Sequence, residues 1–298
     1  MANLKEVRER ITSVKSTQQI TKAMKMVSAA KLKRSQDAIT QLRPYSNRLY
    51  MMLSNIMSSL KGVKIDLPFN DERDIEKVLI VVVTSNRGLC GAFNTNVVKR
   101  TKALIKEKYE AQYEGGDVML AFIGKKGFDG LKNALPKAKL KTDDIQVGND
   151  LSFDNTVQVA DEYVKLYTDK KYDAIEVVYG EFVNAALQNA KSELFLPVQS
   201  YDSDVKDNRA VDFIYQPERT ELLKDLIPSI LRIQFQKYLL DTSASEHGAR
   251  MTAMDKATEN ANDLLKDLKI TYNKARQEAI TAEISEIVGG VAALEGGS

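Results

Sequence analysis

LDTSASEHGARMTAMDKATENANDLLKDLKITYNKARQEAITA, residues 240–282, decides the architecture. Steps of four and three from Leu240 land on Ala244, His247, Met251, Met254, Thr258, Ala261, Leu265, Leu268, Tyr272, Ala275, Ala279 and Ala282. Only His247 and Thr258 are polar among them. A 3.5-residue period sustained this far specifies a helix that supercoils left-handedly with another helix. The surrounding stretch, Ser229 to Val288, contains one Gly, Gly248, and no Pro. The seam is rich in Ala and Met, hence thin and adaptable.

A helix of that length needs an equally long partner, and only the other end of the chain supplies one. The first 61 residues hold no Gly and one Pro, Pro44. Alternating steps from Leu4 meet Val7, Ile11, Val14, Leu32, Ile39, Leu42, Leu49, Leu53, Ile56 and Leu60. The polar exceptions cluster at Gln18, Thr21, Lys25 and Ser28, where the apolar stripe moves to Ile20, Ala23, Met24 and Val27. That predicts a register shift, and Pro44 predicts a bend or local break. At 1.5 Å rise per residue, 58 residues reach roughly 85 Å. The two ends are therefore expected to pair antiparallel over at least five heptads, with coiled-coil helices over 1–62 and 217–294.

Between them, ten of the fifteen Gly fall from Gly62 to Gly180. KVLIVVVTS, 77–85, is an apolar β-branched run suited to a strand buried on both faces. DVMLAFIG (117–124), DAIEVVYGEF (173–182) and AKSELFLPVQSY (190–201) read as further strands. Asn94–Tyr113, Lys125–Ala134 and Asp154–Tyr167 read as helices. The alternation predicts a Rossmann-like α/β domain over 75–210.

The 298 residues carry a net charge of +2 and are 43% hydrophobic, enough for a packed core. A single cysteine, Cys90, excludes an internal disulfide framework and a multi-Cys zinc site. A single histidine, His247, excludes His-pair chemistry. No apolar run approaches a membrane-spanning helix. The opening MANLKEVRERITSVK has the pattern of neither a secretory signal nor a transit peptide. Charge is segregated: residues 1–62 hold twelve Lys or Arg against three acids, a balance of +9. Lys15 to Arg34 includes six cations and no acid. That charge is expected to be free for an acidic surface: nucleic acid, lipid headgroups or a partner protein.

SNRGLCGAFN, 85–94, sits where a dinucleotide fingerprint would, but Gly88 and Gly91 give G-x-x-G and Phe93 replaces the third glycine. A tight strand-to-helix turn, with φ > 0 at Gly91, is the simpler reading. Gly124-Lys125-Lys126-Gly127 reads likewise as a turn, with phosphate contact as the alternative. Cys90 lacks a nearby base and reads as a small turn residue. His247, between Glu246 and Arg250, reads as a paired polar residue. No catalytic, cofactor-binding or metal-ligating set emerges. Two other classes stay open on residues alone: a nucleotide-binding α/β enzyme with helical arms, and a coiled-coil nucleic-acid-binding protein.

ITKAMKMVSAAKL (20–32), SNRGLCGAFN (85–94), SEHGARMTAMDKATENA (245–261) and YNKARQEAITAEISEIVGGVAAL (272–294) closely resemble the gamma subunits of F-type ATP synthases. The resemblance runs from end to end. It implies an antiparallel coiled coil with an α/β middle domain, acting as a non-catalytic rotor shaft. Such a shaft couples proton flow to ATP synthesis by turning inside a ring of alpha and beta subunits, resting with epsilon on the membrane c-ring. It implies no cofactor and no nucleic acid. It places Met24, Lys25, Arg250, Arg276, Gln277 and Thr281 at contacts with the ring. It places Ile287, Val288, Val291 and Leu294 in an apolar bearing. The implied location is the cytoplasmic face of a bacterial inner (plasma) membrane, peripheral, rather than an organellar membrane.

Overall fold

The computed structural model describes residues 4–59, 69, 73–198 and 219–295. They form two compact units, Met1–Val27 with Met251–Ser298, and Ser28–Arg250. Two long helices contribute to both: α1, Leu4–Ser59, and α6, Arg219–Glu295.

In the larger unit, five strands form one sheet in the order β3-β2-β1-β4-β5. They are β1 (Val78–Val83), β2 (Val118–Ile123), β3 (Lys139–Lys141), β4 (Ala174–Phe182) and β5 (Gln188–Leu196). β1 pairs parallel with β2 and β4, β2 parallel with β3, and β4 antiparallel with β5. Every residue of β1 is buried, as a central strand covered on both faces requires. Leu79, Val81 and Val83 pack with Val159, Ala160, Tyr163 and Tyr167 of α5 (Phe153–Thr168) and with Ile227 to Leu239 of α6. Val78, Ile80 and Val82 pack with Phe93, Val97, Leu104 and Ile105 of α2 (Phe93–Lys108). The two-residue period thus divides the strand between two cores.

The helix expected over Asn94–Tyr113 is broken at Tyr109, which leaves helical geometry (φ −129°) between α2 and the short α3, Glu110–Gly115. The break turns the Tyr109 hydroxyl to the carboxylate of Glu176, buried in β4. α4 covers Lys125–Leu131. The sequence patterns miss β3 and the 3-10 turn at Asp143–Asn149. Both are short and mostly exposed, so no periodicity announces them. They are fixed instead by Asp144, which accepts from Lys141 Nζ and Tyr163 Oη, each at 2.7 Å. β5 begins two residues earlier than expected, and the end of its expected run, with the 201–209 stretch, lies outside the described residues.

α1 continues through Pro44 without the expected break. Ile39, Ser46 and Leu49 are buried on either side of it, and that packing holds the turn despite the lost backbone bond. Ser35 and Ser243 hydroxyls meet at 3.0 Å in this unit, joining α1 to α6.

In the smaller unit the same helices pair antiparallel. Gln18 Nε2 donates to Asn262 Oδ1, Thr21 and Thr258 hydroxyls meet at 2.8 Å, and Lys25 Nζ donates to Asp255 Oδ1 at 2.5 Å. Each step forward on α1 is matched by a step back on α6. Val7, Met254, Ala261 and Leu268 supply buried apolar positions. The register shift expected between Gln18 and Ser28 does not occur: Ile20 is 60% and Val27 58% exposed, while Thr21 is buried. The polar residues hold the inward face because each meets a polar partner.

Candidate functional site

The glycine turn after β1 is built by its own side chains. Ser85 Oγ donates to Arg87 O at 2.7 Å, and Ser85 N donates to Asn94 Oδ1 at 3.1 Å. Leu89 and Gly91 both take positive φ, 63° and 58°, the left-handed region where glycine is at no disadvantage and leucine is strained. Cys90 is buried with Asn94 Nδ2 donating to its sulfur at 3.1 Å. It is the packed turn residue the sequence suggests. Arg250 from α6 reaches the turn: its NH2 donates to Arg87 O at 3.0 Å and to Gly88 O at 3.3 Å. The same guanidinium pairs with Glu246 at 2.7 Å and donates from NH1 to His247 Nδ1 at 3.2 Å. His247 therefore accepts through Nδ1 and is neutral. Burial, then Arg250 and Lys31, push its pKa down to about 4. Burial raises the Glu246 carboxyl, opposed by Arg250 and Lys31. Arg250 is only 8% exposed, so its donors are occupied within the chain. What the turn shows to solvent is Arg87 and Leu89, the latter 63% exposed.

The second glycine turn is also structural in its contacts. Gly124 has φ 99°, and a Cβ there would lie 2.1 Å from Thr84 O. Gly127 N donates to Thr84 Oγ1 at 2.8 Å. Both glycines are needed for the close approach of α4 to the end of β1. Among the described residues, no group of three or more His, Cys, Asp or Glu is placed to hold a metal.

In the smaller unit, Lys25 is half-exposed and paired with Asp255. Its charge is not free, contrary to the expectation from the acid-free stretch, because the neutralising acid comes from the distant α6. Met24 is half-buried. Arg276, Gln277 and Thr281 are exposed, with Thr281 Oγ1 donating back to Gln277 O at 2.8 Å. From Thr281 to Val291 every residue of α6 is exposed, Ile287 at 66%. The seam position expected at Ala282 is therefore uncovered. In the antiparallel register set by Gln18–Asn262 and Lys25–Asp255, the position opposite Ala282 falls outside the described part of α1. A Cβ added at Gly289 or Gly290 would meet nothing within 4 Å. The side chain of Leu294 lies outside the described residues.

The family model described as ATP synthase matches residues 3–294. The ATP synthase gamma chain of Cytophaga hutchinsonii is 53% identical over 297 residues, covering 99% of each chain. That of Christiangramia forsetii is 50% identical over 299 residues, covering 99% of this chain and all of that one. The chain belongs to the ATP synthase gamma chain family. As a gamma chain it is the central-stalk rotor subunit, and a non-catalytic one. A gamma-chain fold is also found in a solved mitochondrial ATP synthase of Euglena gracilis comprising OSCP, F1 and c-ring. There the TM-score is 0.64 at 22% identity, over 99% of this chain and 95% of that one. The central stalk with c-ring of Tetrahymena thermophila matches with a TM-score of 0.55 at 23% identity, over 80% of this chain and 99% of that one.

Sequence reasoning missed Asp255 and Asn262 in this gamma chain. Each stands one residue beyond a seam position, Met254 and Ala261. Their signal was complementary: a polar run on α1 needs polar partners at matching backward steps on α6.

Proposed function

We propose that this gamma chain couples transmembrane proton flow to ATP synthesis, and ATP hydrolysis to pumping, by rotating inside an alpha/beta hexamer. The carrying observation is the end of α6. An apolar surface at Ile287, Val288 and Val291 is exposed within the described chain, and a bearing inside the ring would cover it. Met24, Lys25, Arg276, Gln277 and Thr281 contact the ring. Arg250 contributes by holding the turn that presents Arg87 and Leu89. α1 and α6 form the shaft. The α/β domain forms the foot, which meets epsilon and the c-ring. No described helix is long and apolar enough to cross a membrane. The chain works on the cytoplasmic face of a bacterial inner membrane, peripherally, through that complex.

Native purification from membranes on a tag carried by this chain tests the reading. Alpha and beta chains in threefold excess, with ATP-driven proton pumping in vesicles, are expected. Recovery of the chain without them would overturn it.

A further inference from the structure

Between Gln18 and Val27, α1 offers two faces for pairing. One carries Gln18, Thr21 and Lys25. The other carries Ile20, Ala23, Met24 and Val27, and lies roughly a third of a turn away. Burial of apolar surface alone favours turning the second face inward. The first face is inward instead, and Ile20 and Val27 stand in solvent.

We infer that the polar pairs Gln18–Asn262, Thr21–Thr258 and Lys25–Asp255 set the rotation of α1 about its own axis, with Asp255 and Asn262 as positioning residues that keep Ile20, Ala23 and Val27 outward. A seam of Ala and Met is smooth and discriminates poorly between settings. Polar residues at seam positions discriminate well, since each has its partner in one setting only. With α1 turned by a third of a turn, the Thr258 hydroxyl, Asp255 and Asn262 would face apolar side chains. Lys25 would leave Asp255, whose oxygen it now reaches at 2.5 Å. Thr258 Oγ1 also bonds Met254 O at 2.7 Å, which aims it at Thr21. The pairs thus act against the hydrophobic pattern of the same segment. This inference concerns the helix pair itself and stands apart from the rotor reading.

The test uses the full chain before assembly, with single cysteines as reporters. Cys90 is buried and adds little background. Maleimide labelling of Ile20→Cys is expected to be at least tenfold faster than that of Thr21→Cys. Replacing the partners, Asp255→Leu with Asn262→Leu, is expected to reverse that order at unchanged helix content by circular dichroism. The charge exchange Lys25→Asp with Asp255→Lys is expected to keep Ile20→Cys the faster site, whereas Asp255→Lys alone narrows the gap. Should the leucine variant lose helix, Thr258→Val is read instead, with a smaller narrowing expected. An Ile20→Cys to Thr21→Cys ratio unchanged by partner removal would overturn the inference. So would an exchange variant no better than Asp255→Lys alone.

Discussion

Gly180 of β4 lies against the ring of Phe93: a Cβ on Gly180 would stand 2.4 Å from Phe93 Cε2 and 3.3 Å from Ser245 Cβ. The missing side chain lets α2 and α6 seat on the same strand. Ser245 Oγ donates to Gly180 O at 3.0 Å, and Gly180 N donates to Thr242 Oγ1 at 3.3 Å. Overfilling a packed site costs about 1–3 kcal/mol. Gly180→Ala is expected to lower unfolding free energy in urea by that amount, and adding Phe93→Leu to recover part of it. Equal midpoints for Gly180→Ala and the parent would refute the contact.

Arg250 ties α6 to the glycine turn through two carbonyls and to Glu246 through an ion pair. Arg250→Ala leaves the part-buried Glu246 with only Lys31 to oppose its desolvation, a loss of about 1–3 kcal/mol. Arg250→Lys restores a charge but not the fork that reaches Arg87 O and Gly88 O together. Both variants are expected to speed tryptic cleavage after Arg87, with Lys intermediate. Cleavage as slow as in the parent would show that the turn holds itself.

Half-buried His247 and buried Asp241 give opposite pH trends. His247 has a folded pKa of about 4, below its usual 6.5. Protonation therefore favours the unfolded chain, and this contribution to stability is full above pH 6.5 and lost as pH falls toward 4. Asp241 is raised by burial from 3.8 to about 6, with Lys237 and Arg43 opposing and Glu181 and Glu193 reinforcing the rise. Its charged form is disfavoured in the fold, so its contribution declines as pH rises from about 4 through 6. His247→Gln is expected to flatten the acid-side fall in Tm. Asp241→Asn is expected to gain about 1–2 kcal/mol at pH 7, with no gain below pH 4. Parallel Tm–pH curves for parent and variants would contradict both assignments.

The α1 seam shows which parts of the fold were legible from sequence. Val7, Thr21, Leu32, Ser35, Ile39, Ser46 and Leu49 are buried at the positions the steps from Leu4 select. The period was therefore right even where the residue types were polar. The register shift was wrong because hydrophobicity was weighed without its partners. Asp255, Thr258 and Asn262 lie more than two hundred residues away, so the pairing is a tertiary fact. β1 was legible because a six-residue apolar run has few other uses. β3, three residues of alternating Lys and Leu, had no such signature. The Arg250 network was hidden for the same reason as Asp255: its acceptors are backbone carbonyls of Arg87 and Gly88, which carry no residue signal.

The exposed end of α6 has no described contact to lose. Deleting 289–298 is expected to leave Tm of the full chain within about 2 °C of the parent, since surface changes away from packed groups cost little. ATP hydrolysis in the assembled complex is expected to persist. A large fall in Tm would show a contact for this segment within the chain, and complete loss of hydrolysis in an assembled complex would count against a bearing role.

Rotation of the chain itself tests the central claim most directly. Asn133, after α4, is exposed, and Cys90 is buried, so Asn133→Cys offers a selective handle on the α/β domain. With the alpha/beta ring fixed to a surface and a gold particle on that cysteine, ATP is expected to drive one-way rotation in three main steps per turn. Hydrolysis at the normal rate with a particle that stays fixed relative to the ring would contradict the rotor account.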